Sequence, residues 1–137
     1  VQARFTVCRV GEIALQHDQT IYKVVTAGQW ALFKQQGLFH GSVDDVHDGF
    51  IHCSTWQQLP GTLAKHFAGR TGLVLLTIAT ASIADQVKWE ISRNDQWFPH
   101  IYANLKLTTV QAWQDIPMDE RGGHDLNALA CKTVIRL

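Results

Sequence analysis

Leu73-Val74-Leu75-Leu76-Thr77-Ile78 is a near-continuous apolar run, broken only at Thr77. Its length, together with its valine and isoleucine, favours a central strand over a helix. Upstream, Leu59, Leu63 and Phe67 recur at helical spacing and predict a helix over 56–68, closed by Gly69. Pro60 is tolerated only in a first turn, so the regular helix is expected to begin nearer Leu59. The segment 49–55 reads as a strand, because Phe50, Ile51 and Cys53 suit burial and Gly49 is a turn residue. Residues 38–48, rich in Gly, Ser, Asp and His, read as a loop of about ten residues, longer than most connections. Thr26 and Gln29 have the spacing of a capping box and start a helix that runs to Gln36. Its apolar face is Ala27, Trp30, Ala31 and Phe33, and Gly37 fits the left-handed position that ends many helices. Ile21-Tyr22-Lys23-Val24-Val25 is β-branched and aromatic and predicts a strand. Residues 3–10 alternate weakly, as an edge strand would, and 11–20 read as a polar connection.

Downstream, 87–91 alternates and predicts a strand with Lys88 and Glu90 on one face. Residues 92–99 read as a turn or loop, 101–105 and 108–113 as strands, and 133–137 as a closing strand. Trp89 and Trp113 sit in alternating patterns and are expected in the core, whereas Trp97 precedes Pro99 in the loop and is placed to cover a ligand. Strands outnumber helices, and both predicted helices lie in the first half. That order predicts an α+β fold with a mixed or antiparallel sheet.

The chain has 137 residues, which suits a single domain spanning residues 1–137. Twelve basic side chains balance twelve acidic ones. With no net field to gather nucleic acid or an anionic membrane, a small-molecule partner is favoured over either. Cys8, Cys53 and Cys131 are widely spread, and no Cys-x-x-Cys occurs. Reduced thiols in a cytoplasmic protein are the simplest reading, with a Cys8–Cys131 bridge left open. No apolar run approaches the roughly 20 residues that span a bilayer. Val1-Gln2-Ala3-Arg4-Phe5 lacks the apolar core of a signal peptide and an initiator Met, so a trimmed chain or a fragment is expected.

Two segments carry the chemistry. Gly49-Phe50-Ile51-His52-Cys53-Ser54-Thr55 and Trp97-Phe98-Pro99-His100-Ile101-Tyr102 each set a histidine among apolar residues and near hydroxyl groups. Each histidine either satisfies a buried hydrogen bond or faces a pocket, and both could line the same one. Ser54 and Thr55 either cap the next helix or meet an anion. His100 and Tyr102 share a strand face. Glu90 is either half of a solvated pair with Lys88 or a carboxylate for sugar hydroxyls. Tyr22 and Lys23 point to opposite faces, and Arg93 is either a solvated loop residue or a phosphate clamp. His40, His47, His52 and Cys53 lie near Asp44, Asp45 and Asp48, but their spacing fits no standard zinc pattern, and no metal is expected. Cys53 is a poor partner for His52 as a nucleophile, since adjacent strand residues face apart. No glycine-rich dinucleotide or phosphate-loop motif occurs.

Ile21-Tyr22-Lys23, Trp30, Gly37, Asp48-Gly49-Phe50-Ile51-His52-x-Ser54-Thr55, His66-Phe67-Ala68-Gly69, Leu73-Val74-Leu75-Leu76, Lys88-Trp89-Glu90 and Phe98-Pro99-His100-Ile101-Tyr102 follow in an order and spacing that resembles one family. It is the bacterial and plant family catalogued as domain of unknown function 952, and the resemblance covers residues 21–116. That resemblance implies an ADP-ribosyltransferase-like fold, a split α+β sheet holding nicotinamide adenine dinucleotide (NAD) in a cleft between half-sheets. On it, His52, His100 and Glu90 are the candidate catalytic residues. Tyr22, Lys23, Ser54, Thr55, Tyr102 and Arg93 are the candidates for cofactor binding. Transferases of this fold often use a glutamate late in the sheet, and Glu90 is the nearest by type. Two functions remain open: transfer or hydrolysis of an ADP-ribosyl group from NAD or a related nucleotide, and binding of a nucleotide or small metabolite without chemistry.

Overall fold

Both faces of the strand Leu73–Ala79 are covered, which is why its sequence does not alternate. Val74, Leu76 and Ile78 join one cluster with Ile21, Val25, Trp30 and Phe33. Leu73 and Leu75 join a second with Tyr22, Val24, Leu59 and Leu63. The computed structural model describes residues 3–6, 20–129 and 133–136. In chain order these form β1 (Ala3–Thr6), β2 (Thr20–Thr26), α1 (Ala27–Gln36), β3 (Leu38–Phe39), α2 (Val43–Asp48), β4 (Ile51–His52) and α3 (Leu59–His66). There follow β5 (Leu73–Ala79), β6 (Val87–Ile91), β7 (Trp97–Ile101), β8 (Leu105–Lys106), β9 (Val110–Ile116) and β10 (Thr133–Arg136).

The fold is α+β, and every strand pair is antiparallel among the described residues. One three-stranded sheet runs β2-β5-β9 and another β4-β7-β6, with the short pairs β3-β8 and β1-β10 beside them. Among the described residues the two larger sheets share backbone pairing at one point. Cys53 N–H still donates to Pro99 of the second sheet at 3.1 Å. Its neighbour Ser54 bridges to Tyr22 of the first, through bonds of 2.8 and 2.9 Å. The chain thus changes sheets between Cys53 and Ser54, and the candidate site lies at that seam.

Several expectations are corrected. The ten-residue loop contains β3 and α2, so the described residues of the first half form three α-helices rather than two. α2 forms because Ser42 and Asp45 make a second capping box, with Asp45 in the place usually held by Glu or Gln. Only Ile51–His52 of the predicted 49–55 strand pairs as β4. The segment 92–99 is a tight hairpin, so Trp97, Phe98 and Pro99 belong to β7. The strand expected over 101–105 is therefore split between the end of β7 and β8. α3 starts at Leu59, as Pro60 required, after a single 3-10 turn at Trp56–Gln58. The strand expected over 3–10 is seen as Ala3–Thr6, and residues 7–10 lie outside the described residues. So do Cys8 and Cys131, and with them the question of their bridge.

Trp113 is corrected as well: it is half exposed, because among the described residues β9 is an edge strand with one neighbour. Its ring rests on Trp30, with Lys34 over both. Trp89 is partly buried against the first cluster. Trp30→Ala should therefore cost about 3–5 kcal/mol and Trp113→Ala clearly less, read as shifts in urea unfolding midpoint. Equal shifts would contradict this division.

Candidate functional site

Asp45 organises the site. Its backbone N–H donates to Ser42 Oγ at 3.2 Å, and its Oδ2 accepts Ser42 N–H at 2.8 Å. Because aspartate is short, the turn must close tightly on it. Gly41 allows this: its φ is +116°, and a Cβ there would lie 2.6 Å from Asp45 Cβ. The carboxylate thus reaches under α2 into the protein, where it is buried. Lys23 Nζ lies 2.9 Å from Oδ2 and 3.1 Å from Oδ1. The same ammonium donates to the His52 carbonyl at 2.9 Å. His52 returns two bonds to Oδ1, from its backbone N–H at 3.0 Å and from Nδ1 at 2.7 Å. β2, α2 and β4 are tied through one carboxylate. Burial alone would raise the Asp45 carboxyl, but the His52 bonds and the Lys23 charge outweigh it and hold it well below the ordinary carboxylate range.

With Nδ1 committed as a donor, His52 presents Nε2 at 2.9 Å from Asp48 Oδ2. His100 repeats the device on β7, where it stands opposite His52 in the register. Its Nδ1 lies 2.8 Å from Glu90 Oε1, which also accepts Tyr102 O–H at 2.6 Å. Phe50 lies flat on the His100 ring at 4.0 Å, and the two imidazole centroids are 5.5 Å apart, edge to face. Burial lowers the His100 pKa, opposed by the Glu90 bond. Tyr102 and His100 together hold the Glu90 carboxyl below its ordinary value.

A cavity of about 470 Å³ opens at the seam. α2 supplies Asp44, Asp45 and Asp48, and α3 supplies Thr62, Lys65 and His66. The β6–β7 hairpin contributes Ser92, Arg93, Phe98 and His100, and the seam itself Tyr22, Lys23, His52, Cys53 and Ser54. Of the residues singled out from sequence, His52, His100, Tyr22, Lys23, Ser54 and Arg93 line it. Lys23 is already committed to Asp45. Thr55 is not on the wall: it caps the 3-10 turn through Gln58. Glu90 and Tyr102 lie outside it, behind His100, and touch the cavity only through that ring. Trp97 also stays outside, exposed on the far end of β7, and covers nothing in the cavity.

Sequence reasoning weighed Asp44 and Asp45 only as metal ligands, quoted Asp48 and His66 in family motifs without giving either a binding role, and passed over Thr62 and Lys65. The available signals were the Ser42-x-x-Asp45 spacing and the shared α3 face of residues 62, 65 and 66. Among the described residues no group of three His, Cys, Asp or Glu is arranged to hold a metal ion. Cys53 is no nucleophile, for burial pushes its thiol up to about 12.

Residues 24–113 match the family model described as "Protein of unknown function (DUF952)". The chain belongs to this family. The X-ray structure of protein CC0527 from Caulobacter crescentus is 39% identical, with TM-score 0.75 over 79% of this chain and 95% of that one. The solution NMR structure of the same protein, also 39% identical, gives TM-score 0.69 over 76% and 90%. No curated protein sequence matches this chain. No helix among the described residues is long and apolar enough to cross a membrane.

Asp45→Asn should cost about 3–5 kcal/mol near neutral pH, because it leaves the buried Lys23 charge uncompensated. The folded-state pKa of Asp45 is depressed. Its contribution is therefore complete above the unfolded value of about 3.9 and declines as pH falls below it. The stability gap between wild type and Asp45→Asn should narrow below pH ~4. Urea unfolding from pH 7 to pH 3 checks both, and a gap that widens in acid contradicts the assignment.

Proposed function

We propose that the cavity is a nucleotide site taking NAD or ADP-ribose, and that the chain uses it to transfer or hydrolyse an ADP-ribosyl group. The observation that carries this reading is His52, an imidazole locked through Nδ1 on a buried carboxylate with Nε2 beside Asp48 on the cavity wall. A ring held in this way, with each nitrogen against a carboxylate, fixes the Asp48 carboxylate at one defined place. When water or another acceptor attacks the ribose carbon and the bond to the leaving base breaks, the acceptor must lose its proton. The Asp48 carboxylate on the cavity wall, held by His52 Nε2 at 2.9 Å, is the group placed to receive it.

The cavity suits such a ligand. Its volume lies within the roughly 300–1,000 Å³ of small-molecule sites. Asp44 and Asp48 can accept from sugar hydroxyls, and the half-buried Phe67 offers apolar surface to a base. Its position between two half-sheets supports the ADP-ribosyltransferase-like reading of the fold. Glu90 favours a second reading, a binding module without chemistry. Its carboxylate is spent on His100 and Tyr102 outside the cavity, where it cannot steady a sugar cation.

Calorimetric titration with NAD and ADP-ribose tests the site. Wild type should bind, and His52→Ala should bind about five- to hundred-fold more weakly, since a buried ligand oxygen loses its partner. His47→Ala should change little, because that side chain is 85% exposed. A wild type that binds neither ligand overturns the reading. If His52→Ala binds normally and merely unfolds more easily in urea, His52 is structural. Release of nicotinamide from NAD, followed chromatographically, separates the enzyme from the binding module.

A further inference from the structure

The wall facing the acidic helix α2 is built from cations and hydroxyls. Arg93 occupies the first corner of the β6–β7 hairpin, whose turn residues Asn94 and Asp95 both have φ of +57°. This is the backbone of the tight turn favoured between twisted antiparallel strands, and asparagine and aspartate tolerate it best after glycine. The hairpin aims the Arg93 side chain back over the sheet. There its guanidinium lies over the Phe98 ring at 4.8 Å, and Nη2 donates to Thr62 Oγ1 at 3.2 Å. It also lies against the backbone of Gly61, where a Cβ would stand 3.1 Å from Nη2. Gln58 Nε2 binds the Trp97 carbonyl at 2.8 Å and braces the approach to α3 against the same hairpin.

The guanidinium is thus held on three sides, while among the described residues most of its five donors stay uncommitted. Thr62 Oγ1 lies 2.8 Å from Ser54 Oγ, which adds a second hydroxyl. Lys65 and His66 stand one turn further along α3, on the same face as Thr62. The local field is positive: after burial, the charges of Arg93 and Lys65 are the main causes that lower the His66 pKa. A pre-positioned planar fork with hydroxyls and an ammonium beside it matches the oxygens of a phosphoryl group.

We propose that Arg93, Thr62, Ser54 and Lys65 form a phosphoryl subsite, which fixes the ligand with its phosphate at α3 and its sugar hydroxyls toward Asp44 and Asp48. The subsite rests on the nucleotide reading only for the rest of the ligand. The opposed signs of the two walls allow one orientation, since a phosphate turned toward α2 would face two carboxylates.

The test is calorimetric titration of wild type, Arg93→Gln, Arg93→Lys and Lys65→Gln with ADP-ribose, adenosine and inorganic pyrophosphate. Urea midpoints are measured alongside. Arg93→Gln should weaken ADP-ribose and pyrophosphate about ten- to hundred-fold and leave adenosine unchanged. Arg93→Lys should recover only part of the loss, for it restores charge without the fork. Lys65→Gln, an exposed helix position that folding does not depend on, should weaken the same two ligands by a smaller factor. If wild type binds ADP-ribose and neither Gln variant weakens it, the subsite is overturned and the nucleotide reading stands. If pyrophosphate binds in an Arg93-dependent way but neither NAD nor ADP-ribose does, the nucleotide reading falls and the subsite stands. If wild type binds neither pyrophosphate nor ADP-ribose, both are overturned.

Discussion

A lysine ammonium cannot be left alone inside a sheet, and the neutralisation of Lys23 by Asp45 is the constraint on which the site depends. Lys23 sits on β2 between Ile21 and Val25, both of the first core cluster. Burying an unpaired charge there would cost several kcal/mol. Asp45 neutralises it from α2, and α2 exists at that place because Ser42 caps it and Gly41 lets the turn close. The carboxylate then has acceptor capacity left, and His52 uses it twice. One charge pair thereby fixes a strand, a helix and an imidazole relative to one another.

The seam explains why the polar groups collect where they do. Within either three-stranded sheet, backbone bonds are satisfied by neighbours and side chains pack into the core. Where Cys53 and Ser54 exchange one sheet for the other, pairing narrows to a single bridge, and side chains of α2, α3 and the β6–β7 hairpin fill the divergence. Such a gap leaves room for a ligand and surrounds it with elements anchored elsewhere. Apart from the mutually neutralised Lys23 and Asp45, the acids come from one helix and the cations from another helix and a hairpin, so the cavity has a direction. His100 and Glu90 form a carboxylate–imidazole pair like His52 and Asp45, but with the carboxylate on the outer surface. Glu90 can act on the cavity only by orienting His100.

Single-element features were readable from the sequence where one chemical rule governs them. The capping box at Thr26, the start of α3 at Leu59 and the central position of β5 each follow from local chemistry. α2 was missed because an aspartate in the glutamate place of a capping box looks like loop composition when His, Gly and Asp surround it. Trp113 was misplaced because alternation distinguishes two faces of a strand but not an edge strand from a central one. Among site residues, His52 and His100 stood out because an imidazole is unexpected in an apolar strand. Lys65 and His66 did not, because exposed basic residues in the last turn of a helix are ordinary.

The sequence by itself determined the α+β class, the membership in the family of domain of unknown function 952, and the two histidine-bearing segments, since each depends on residue types at fixed local spacing. Only the tertiary structure decided that His52 and His100 stand opposite each other and that Asp45 neutralises Lys23. It likewise decided that Thr55, Glu90 and Tyr102 lie off the cavity wall. These relations join residues distant along the chain, through strand register and the direction in which a hairpin or helix projects its side chains. No local pattern encodes them, because the same spacing permits either face until the partners are in place.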